Sequence, residues 1–226
     1  MSIAENIKIV RQRIRDAASK SGVNPDAIIL IAVTKTVGSD KINEAIDAGI
    51  TDIGENYVQD ALAKFDEVEY CANRHMIGHL QTNKVRLAVP AFNVIQSVDK
   101  LDIAREISKR SVTAGTVTKV LVEVNISGEE SKSGVHPIDA MKLCDEVSCF
   151  PGIQLAGLMG IAPFTNEKAV IRKSFECLRD LWEHLPVEYA RWLSMGMTSD
   201  FEIAIEEGSN MVRIGTAIFG SRPPRN

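Results

Sequence analysis

The chain has 226 residues, of which 45% are hydrophobic and 25% are charged, and its formal net charge is −4. These values are typical of one globular domain, here 1–226, and an acidic chain without runs of Lys and Arg is not expected to bind nucleic acid. No apolar stretch approaches the ~18 residues that a membrane span requires, and the mixed charges of MSIAENIKIVRQRI argue against a signal peptide.

The four cysteines do not form a metal or redox motif, because none stands in a C-x-x-C pair or has a histidine at ligand spacing. They are Cys71, Cys144, Cys149 and Cys177. We therefore expect buried thiols, no bound metal and a reducing compartment. Together with the lack of a signal peptide, this predicts a cytoplasmic protein.

The first twenty residues predict an amphipathic helix, because apolar residues recur there at helical spacing and Gly22 and Pro25 mark its end. Its apolar positions are Ile3, Ile7, Val10, Ile14 and Ala17. Eight short segments rich in apolar or β-branched residues follow and predict strands. In chain order they are AIILIAVTK, TDIGEN, RHMIGHL, FNVIQSV, TKVLVEVNI, IQLAGLMG, RWLSMG and NMVRIG.

Helical patterns lie between these segments. They include SDKINEAIDAG, DKLDIAREISKR, PIDAMKLCDEV and EKAVIRKSFECLRDLWEHL. In the first of them, Ser39 is expected to cap the helix and Gly49 to close it. Near the other end of the chain, Ser199 and Glu202 predict an S-x-x-E capping box before IAIEEG.

Strands that alternate with helices and lack polar alternation predict a parallel sheet covered by helices. Eight units of about 28 residues favour a single (β/α)8 TIM barrel with an extra N-terminal helix. The alternative is an open doubly wound sheet. That fold would place a Gly-rich phosphate loop after the first strand, and AVTKTVGSD is not such a loop.

In a barrel, functional groups lie at the carboxyl ends of the strands. The sequence places polar, small and cationic residues there. They include Lys35, Glu55, Asn56, His79, Ser97, Asp99, Asn125, Gly160, Ser194, Met197, Thr198, Arg213, Gly215 and Thr216. The loops after the last two strands are the usual phosphate site of such barrels, because backbone N–H groups converge there on an anion. MGMTSD and GTAIFG can supply these groups, and Thr216 adds a hydroxyl.

Lys35 ends the first predicted strand, where a partly desolvated lysine can act as a Schiff-base nucleophile. A lysine across a barrel from a phosphate site suits an aldehyde that carries a phosphate, and pyridoxal 5′-phosphate (PLP) is the obvious one. The alternative is a lysine whose ammonium group reaches water from the strand end. Spacing alone does not decide between the two.

Six motifs carry a family resemblance that runs nearly from end to end. They are AVTKT, GENYVQD, HMIGHLQTNK, EVNISGEESKSG, GLMGIAP and LSMGMTSDFEIAIEEGSNMVRIGTAIFG. In this order they resemble the pyridoxal phosphate homeostasis proteins, a family with a barrel similar to the N-terminal domain of alanine racemase. The resemblance implies a PLP-binding protein that buffers and delivers the cofactor in vitamin B6 homeostasis, without established catalysis.

The resemblance also assigns residues to the cofactor. It implies a Schiff base on Lys35, Asn56 near the ring and its 3′ oxygen, and Arg213 facing the pyridine nitrogen. It implies a phosphate site that comprises Ser194, Thr198, Gly215 and Thr216, with Met197 in the same loop.

Three positions qualify this assignment. The family usually has serine where Thr198 stands, and threonine keeps the hydroxyl. Relatives often carry tryptophan at Arg74, which precedes the predicted strand, so we expect a surface effect only. Lys132 resembles a lysine that the family places over the cofactor mouth, and a secondary aldehyde site there is a further hypothesis.

An amino-acid racemase of the same barrel type is the alternative function. Such racemases add an all-β domain, whereas this chain ends six residues after RIGTAIFG. They also need a proton acceptor on each face of the substrate carbanion. Lys35 can serve one face. We expect Tyr57, Tyr70 and Tyr189 to lie in helices or near the far ends of strands.

Arg213 also favours a carrier, because a permanently charged guanidinium leaves the pyridine nitrogen unprotonated and the ring a weak electron sink. We therefore expect a monomeric carrier that meets apo PLP enzymes transiently. His75 and His79 are expected to be structural histidines.

Overall fold

Eight parallel strands close into a barrel in this computed structural model, which describes residues 1–68, 72–129 and 131–220. Each strand pairs with the next along the chain, and the eighth pairs with the first. The strands are β1 (Ile29–Val33), β2 (Asp52–Glu55), β3 (Asn73–Met76), β4 (Val94–Val98), β5 (Thr118–Val124), β6 (Ile153–Gly160), β7 (Trp192–Ser194) and β8 (Met211–Ile214). This confirms the predicted TIM barrel and excludes the open sheet.

The helices of the described residues follow the strands one by one, from α2 after β1 to α9 after β8, and α1 is the extra N-terminal helix. They are α1 (Ile3–Ser21), α2 (Ser39–Asp47), α3 (Val58–Phe65), α4 (Val85–Ala91), α5 (Leu101–Ala114), α6 (Pro137–Ser148), α7 (Lys168–Glu183), α8 (Phe201–Glu206) and α9 (Thr216–Phe219). Within the described ranges, none of them has the length and apolar content to cross a membrane.

The predicted N-terminal helix is confirmed as α1. The Ser2 hydroxyl accepts the Glu5 N–H at 3.2 Å, and the Glu5 carboxylate accepts the Ser2 N–H at 2.8 Å. This capping box satisfies two N–H groups that a helix start leaves unpaired. Gly22 ends the helix with a φ of +68°, and α1 packs against α2, α8 and α9 across the seam between the first and last strands.

The other predicted helix ends are only partly correct. Gly49 follows α2 with a φ of +93°, as expected for a closing glycine. Ser39, however, is the first residue of α2 rather than its cap, and its hydroxyl donates to Glu67. The capping box of Ser199 and Glu202 is also wrong, because α8 begins one residue later and Glu202 forms an ion pair with Arg13 at 2.9 Å.

Inward and outward side chains alternate along the strands and divide the interior into two layers. The large apolar cluster lies between the strands and the helices, and a smaller one lies inside the barrel. The inner cluster consists of Ile31, Leu121, Ala156, Met159 and Met211. Buried polar residues also occupy inward positions, and they mark where the functional site lies.

The cysteines match the prediction in part. Cys144 is buried, and burial raises the pKa of its thiol to about 12. Burial also raises the pKa of Cys177, which is partly buried. Cys149 is exposed, which contradicts the prediction, because it follows the last residue of α6 on the surface. Cys71 lies outside the described residues, as does the tail 221–226.

Candidate functional site

Lys35 stands just beyond the C-terminal end of β1, at the mouth of the barrel. It is half-buried and lines a cavity of about 270 Å³ together with Thr36, Gly215 and Thr216. Because β1 and β8 are paired neighbours, the loops that follow the first and the last strand meet there. The structure therefore places Lys35 beside two of the residues predicted to bind phosphate, rather than across the barrel from them.

The backbone beside Lys35 is strained. Thr36 has a φ of +65° and is the one non-glycine residue with positive φ in the described ranges. The left-handed region is unfavourable for a β-branched residue and persists only where neighbouring contacts hold it. Such strain is common at ligand sites, and here it lies next to the predicted nucleophile.

Lys64 of α3 supplies contacts that hold this loop. Its ammonium group donates to the carbonyl oxygens of Thr34 and Val37 at 2.8 and 3.1 Å. It also pairs with the buried carboxylate of Glu55 at 2.6 Å, and that carboxylate accepts the Thr34 hydroxyl. Glu55 is thus neutralised by a lysine that the sequence analysis missed.

The loops after β7 and β8 are tied to each other. The backbone N–H of Arg213 donates to the Gly196 carbonyl at 3.0 Å. Gly196 has a φ of +95°, and a side chain there would collide with Phe201. Asp200 accepts the backbone N–H of Met197 at 2.6 Å, so that N–H is already used. In this loop Thr198 is half-buried.

Arg213 is buried on the inward face of β8, with 3% of its surface exposed. Its guanidinium donates to the Gly160 carbonyl at 2.9 Å and to the Ser194 hydroxyl at 2.5 Å. Burial lowers the pKa of Arg213 to about 10, against the opposing influence of Glu123 and Asp200. The group therefore remains a cation at neutral pH.

Glu123 lies on the inward face of β5 and was not predicted. Burial, with a further contribution from Asp99, raises the pKa of Glu123 to about 7, and Arg213 opposes the shift. Its position at the carboxyl end of a strand was visible in the sequence, but the run TKVLVEVNI did not show that its side chain points inward.

Ser194 is fully buried at the end of β7. Its hydroxyl accepts from Arg213 and donates to the Gln96 side-chain oxygen at 2.7 Å. The structure thus places Ser194 in contact with Arg213, and the cavity around Lys35 is lined by Gly215 and Thr216 without it. Its assignment to the phosphate stays a prediction.

Comparisons with known proteins agree with this geometry. The family model for the alanine racemase N-terminal domain matches residues 2–223. A pyridoxal phosphate homeostasis protein from Pseudomonas aeruginosa is 43% identical over 222 residues, which cover 98% of this chain and 96% of the relative. The chain belongs to the pyridoxal phosphate homeostasis protein family.

Solved structures of similar proteins extend the match to the whole fold. A protein of unknown function from Bifidobacterium adolescentis superposes with a TM-score of 0.91 at 39% identity, covering 96% of this chain and 94% of that one. PipY of Synechococcus elongatus, solved with PLP bound, gives a TM-score of 0.84 at 32% identity, covering 97% and 100%. Both were compared over nearly their full lengths.

Unsatisfied polar atoms support a ligand at the mouth of this member of the pyridoxal phosphate homeostasis protein family. Five buried side-chain oxygens have no hydrogen-bonding partner among the described residues. They belong to Glu55, Asn56, Ser97, Asp99 and Glu123, at or next to the carboxyl ends of β2, β4 and β5. Buried polar atoms are normally paired. These oxygens are hydrogen-bond acceptors, and the Ser97 hydroxyl can also donate, so the site fits a polar aromatic ligand such as PLP, with Asn56 after β2 and Lys35 after the neighbouring β1.

Two sequence expectations are wrong at this site. Tyr57 directly follows Asn56 at the carboxyl end of β2 and is 53% exposed, so it lies at the mouth rather than in a helix or at a far strand end. Arg74 lies within β3, where its guanidinium stacks on the Phe65 ring at 4.3 Å, so its role is not confined to the surface. Tyr70 lies outside the described residues.

The remaining candidates take part in hydrogen bonds. His75 is buried, and both of its ring nitrogens are bonded, as expected for a structural histidine. His79 lies near the mouth, with Nδ1 at 3.5 Å from the Asp99 carboxylate. Lys132 pairs with Glu129 at 2.7 Å in the loop after β5.

Proposed function

We propose that this chain binds PLP at the barrel mouth and serves to hold and deliver the cofactor inside the cell, with 1–226 as one PLP-binding domain. The observation that carries the proposal is the cavity that Lys35 shares with Gly215 and Thr216. Lys35 and Gly215 lie 180 positions apart in the chain. Bound PLP supplies an aldehyde that bonds reversibly to amines and a ring that can withdraw electrons.

Each side of the mouth has a task in this proposal. Lys35 would be the amine that condenses with the aldehyde carbon, whose oxygen leaves as water. The hydroxyl of Thr216, the N–H of Gly215 and the loop of Met197 and Thr198 receive the phosphate. Asn56 lies next to the ring, where its side-chain amide nitrogen can donate to the 3′ oxygen.

Arg213 supports a carrier rather than an enzyme. With a pKa of about 10 it stays protonated at neutral pH, so it donates to the ring nitrogen and cannot supply that nitrogen with a readily shared proton. The ring is then a weak electron sink, and chemistry that needs a stabilised carbanion is disfavoured.

One observation favours the racemase alternative. Tyr57 lies at the mouth, next to Asn56, so a second proton acceptor is not excluded by its location. The carrier proposal consequently rests on Arg213 and on the family, and the position of Tyr57 no longer supports it.

The test is covalent trapping. The purified protein with PLP should show a visible absorption band that borohydride abolishes, and peptide mass mapping should place the reduced adduct on Lys35. Lys35→Ala should lose the band and remain folded. Lys41→Ala is the matched control, since Lys41 lines the same cavity from α2 and should keep both band and adduct. An adduct found mainly on Lys41, Lys84 or Lys132 would contradict the assignment.

Further parts of the proposal concern the cell. The protein is proposed to act as a monomer in the cytoplasm and to transfer PLP transiently to apo-enzymes. Reactivation of an apo-transaminase by the loaded protein, at one equivalent of PLP per chain, is the expected result of a transfer assay.

A further inference from the structure

A row of five buried polar side chains crosses the inside of the barrel below the mouth. Its members, here called the interior relay, are Arg213, Ser194, Gln96, His75 and Asp52, and none is more than 7% exposed. The successive distances are 2.5, 2.7, 3.0 and 2.9 Å. The row joins five strands and runs from Arg213, near the carboxyl end of β8, to Asp52, at the start of β2.

The two charged ends force all the hydrogen bonds to point the same way. Arg213 can only donate, so the Ser194 oxygen accepts from it and the Ser194 hydrogen goes to the Gln96 oxygen. The amide nitrogen of Gln96 then faces Nδ1 of His75, which must accept. The hydrogen of His75 therefore sits on Nε2 and points at the Asp52 carboxylate.

Asp52 is well suited to end the row. Burial by itself raises the pKa of Asp52, but the hydrogen bonds from His75 and Thr51 outweigh it, so that the pKa is lowered overall. The carboxylate also accepts the Thr51 hydroxyl at 2.7 Å. It is therefore an anionic acceptor at neutral pH, and it fixes the direction of the whole row.

This direction determines what Ser194 can do. Its single hydrogen is committed to Gln96, and its oxygen accepts from Arg213, so the hydroxyl has no hydrogen left for a phosphate. We propose that Ser194, Gln96 and His75 are positioning residues that hold Arg213 against the pyridine nitrogen of PLP, and that Ser194 is not a phosphate ligand. The inference rests on the proposed binding of PLP.

Packing alone does not account for the interior relay. The same barrel fills other inward positions with Ile31, Leu121 and Met159, and apolar residues satisfy a barrel core without any hydrogen-bond requirement. A fully connected buried network instead fixes the orientation of its members. Here the second guanidinium bond, to the Gly160 carbonyl, leaves Arg213 a single plane in which to meet a ligand.

The experiment compares two probes, PLP and pyridoxal, which differ only in the phosphate. Affinities are measured by equilibrium dialysis for the wild type, Ser194→Ala, Gln96→Leu and Thr216→Val. Substitution of a residue that acts on the ring should lower the affinity for both probes by the same factor. Substitution of a residue that binds the phosphate should lower the affinity for PLP alone. Ser111→Ala is the matched control, because it removes a buried hydroxyl pair with Thr118 at 2.7 Å that is not connected to Arg213.

We expect Ser194→Ala and Gln96→Leu to lower the affinity for both probes roughly tenfold, which is the effect of losing one hydrogen bond to a charged group. The absorption maximum of bound PLP should shift in both variants, because the ring nitrogen loses its donor. Thr216→Val should lower the affinity for PLP alone, and Ser111→Ala should change the affinity for neither probe.

Three results would overturn the inference. One is a loss of affinity for PLP alone in Ser194→Ala, which would make this serine a phosphate ligand. Another is a Gln96→Leu variant that behaves like Ser111→Ala. The third is independent of PLP: nitrogen NMR of the wild type should find the His75 hydrogen on Nε2, and a hydrogen on Nδ1 would break the row. A wild type that binds neither probe but has the Nε2 hydrogen would instead refute the proposed function.

Discussion

The two halves of the barrel mouth present opposite kinds of polar group. The half formed by β7, β8 and β1 presents donors: the Lys35 ammonium, the Arg213 guanidinium and the Thr216 hydroxyl. The half formed by β2, β4 and β5 presents buried oxygens without partners, including those of Asn56 and Asp99. The mouth is therefore polarised across its width, and a ligand with an anionic group at one end can enter in only one orientation.

The halves also differ in how they are held. The donor half rests on Lys64 below the Lys35 loop, which donates to the Thr34 and Val37 carbonyls and pairs with Glu55 of the neighbouring β2. In the acceptor half, burial, with a further contribution from Asp99, raises the pKa of Glu123 to about 7. The first half is fixed by opposite charges, and the second keeps one carboxyl group partly protonated.

The largest effect should come from removing the support of the donor half. Lys64→Met leaves the Glu55 carboxylate buried without its cation, and the loss of one partner from a buried pair costs about 3–5 kcal/mol of unfolding free energy. Denaturant unfolding of the PLP-free protein measures this. PLP affinity should fall as well, because the Thr34 and Val37 carbonyls lose the ammonium that holds them.

Two controls make the prediction about Lys64 specific. Lys41→Met removes a lysine of the same cavity that is exposed on α2 and should alter stability little. The double variant with Glu55→Gln should recover part of the lost stability, because no charge is left unpaired. A single Lys64→Met variant as stable as the wild type would show that the pair does not support the loop.

A smaller effect is expected in the acceptor half, and it depends on pH. The pKa of Glu123 rises from 4.5 in its ordinary state to about 7 in the fold. Between these values the folded chain holds a proton that the unfolded chain has lost, so the free energy of unfolding falls as the pH rises through this window. The full loss is about 3 kcal/mol.

Glu123→Gln should remove this pH dependence. Thermal unfolding of the PLP-free protein at pH 5 and pH 8 should show the wild type losing more stability than the variant between the two values. Because the other ionisable groups are common to both proteins, their effects cancel in the comparison. Equal losses in the two proteins would place Glu123 in a more hydrated setting than the structure gives it.

The sequence predicted the barrel because alternation of strand and helix is a long-range pattern that single residues rarely disturb. It also predicted the positions of Lys35, Gly215 and Thr216, since strand ends can be read along the chain. It did not predict Gln96, because which face of β4 points inward depends on how eight strands close. Lys64 was missed for a related reason: on α3 it resembles any solvated helix lysine, and only the fold brings it below β1.

Local signals were the least reliable. Ser199 has the residue type and spacing of a cap, yet the chain uses Asp200, whose carboxylate folds the loop back onto Met197. Tyr57 was expected in a helix or near the far end of a strand, whereas it lies between the mouth end of β2 and the start of α3. At a boundary between two elements, the sequence predicts both elements but not which of them determines the orientation of the side chain.

The last prediction is that no racemisation occurs, and it tests whether the polarised mouth only binds PLP or also catalyses a reaction. The protein loaded with PLP should not racemise alanine, serine or glutamate faster than free PLP, because Arg213 leaves the ring a weak electron sink. Tyr57→Phe should leave PLP affinity and this background unchanged, since a carrier has no use for a second proton acceptor at the mouth. Chiral chromatography after long incubation measures the product, and Lys35→Ala gives the rate without the site. Racemisation that disappears in both Tyr57→Phe and Lys35→Ala would identify two bases at the mouth and make this chain an enzyme.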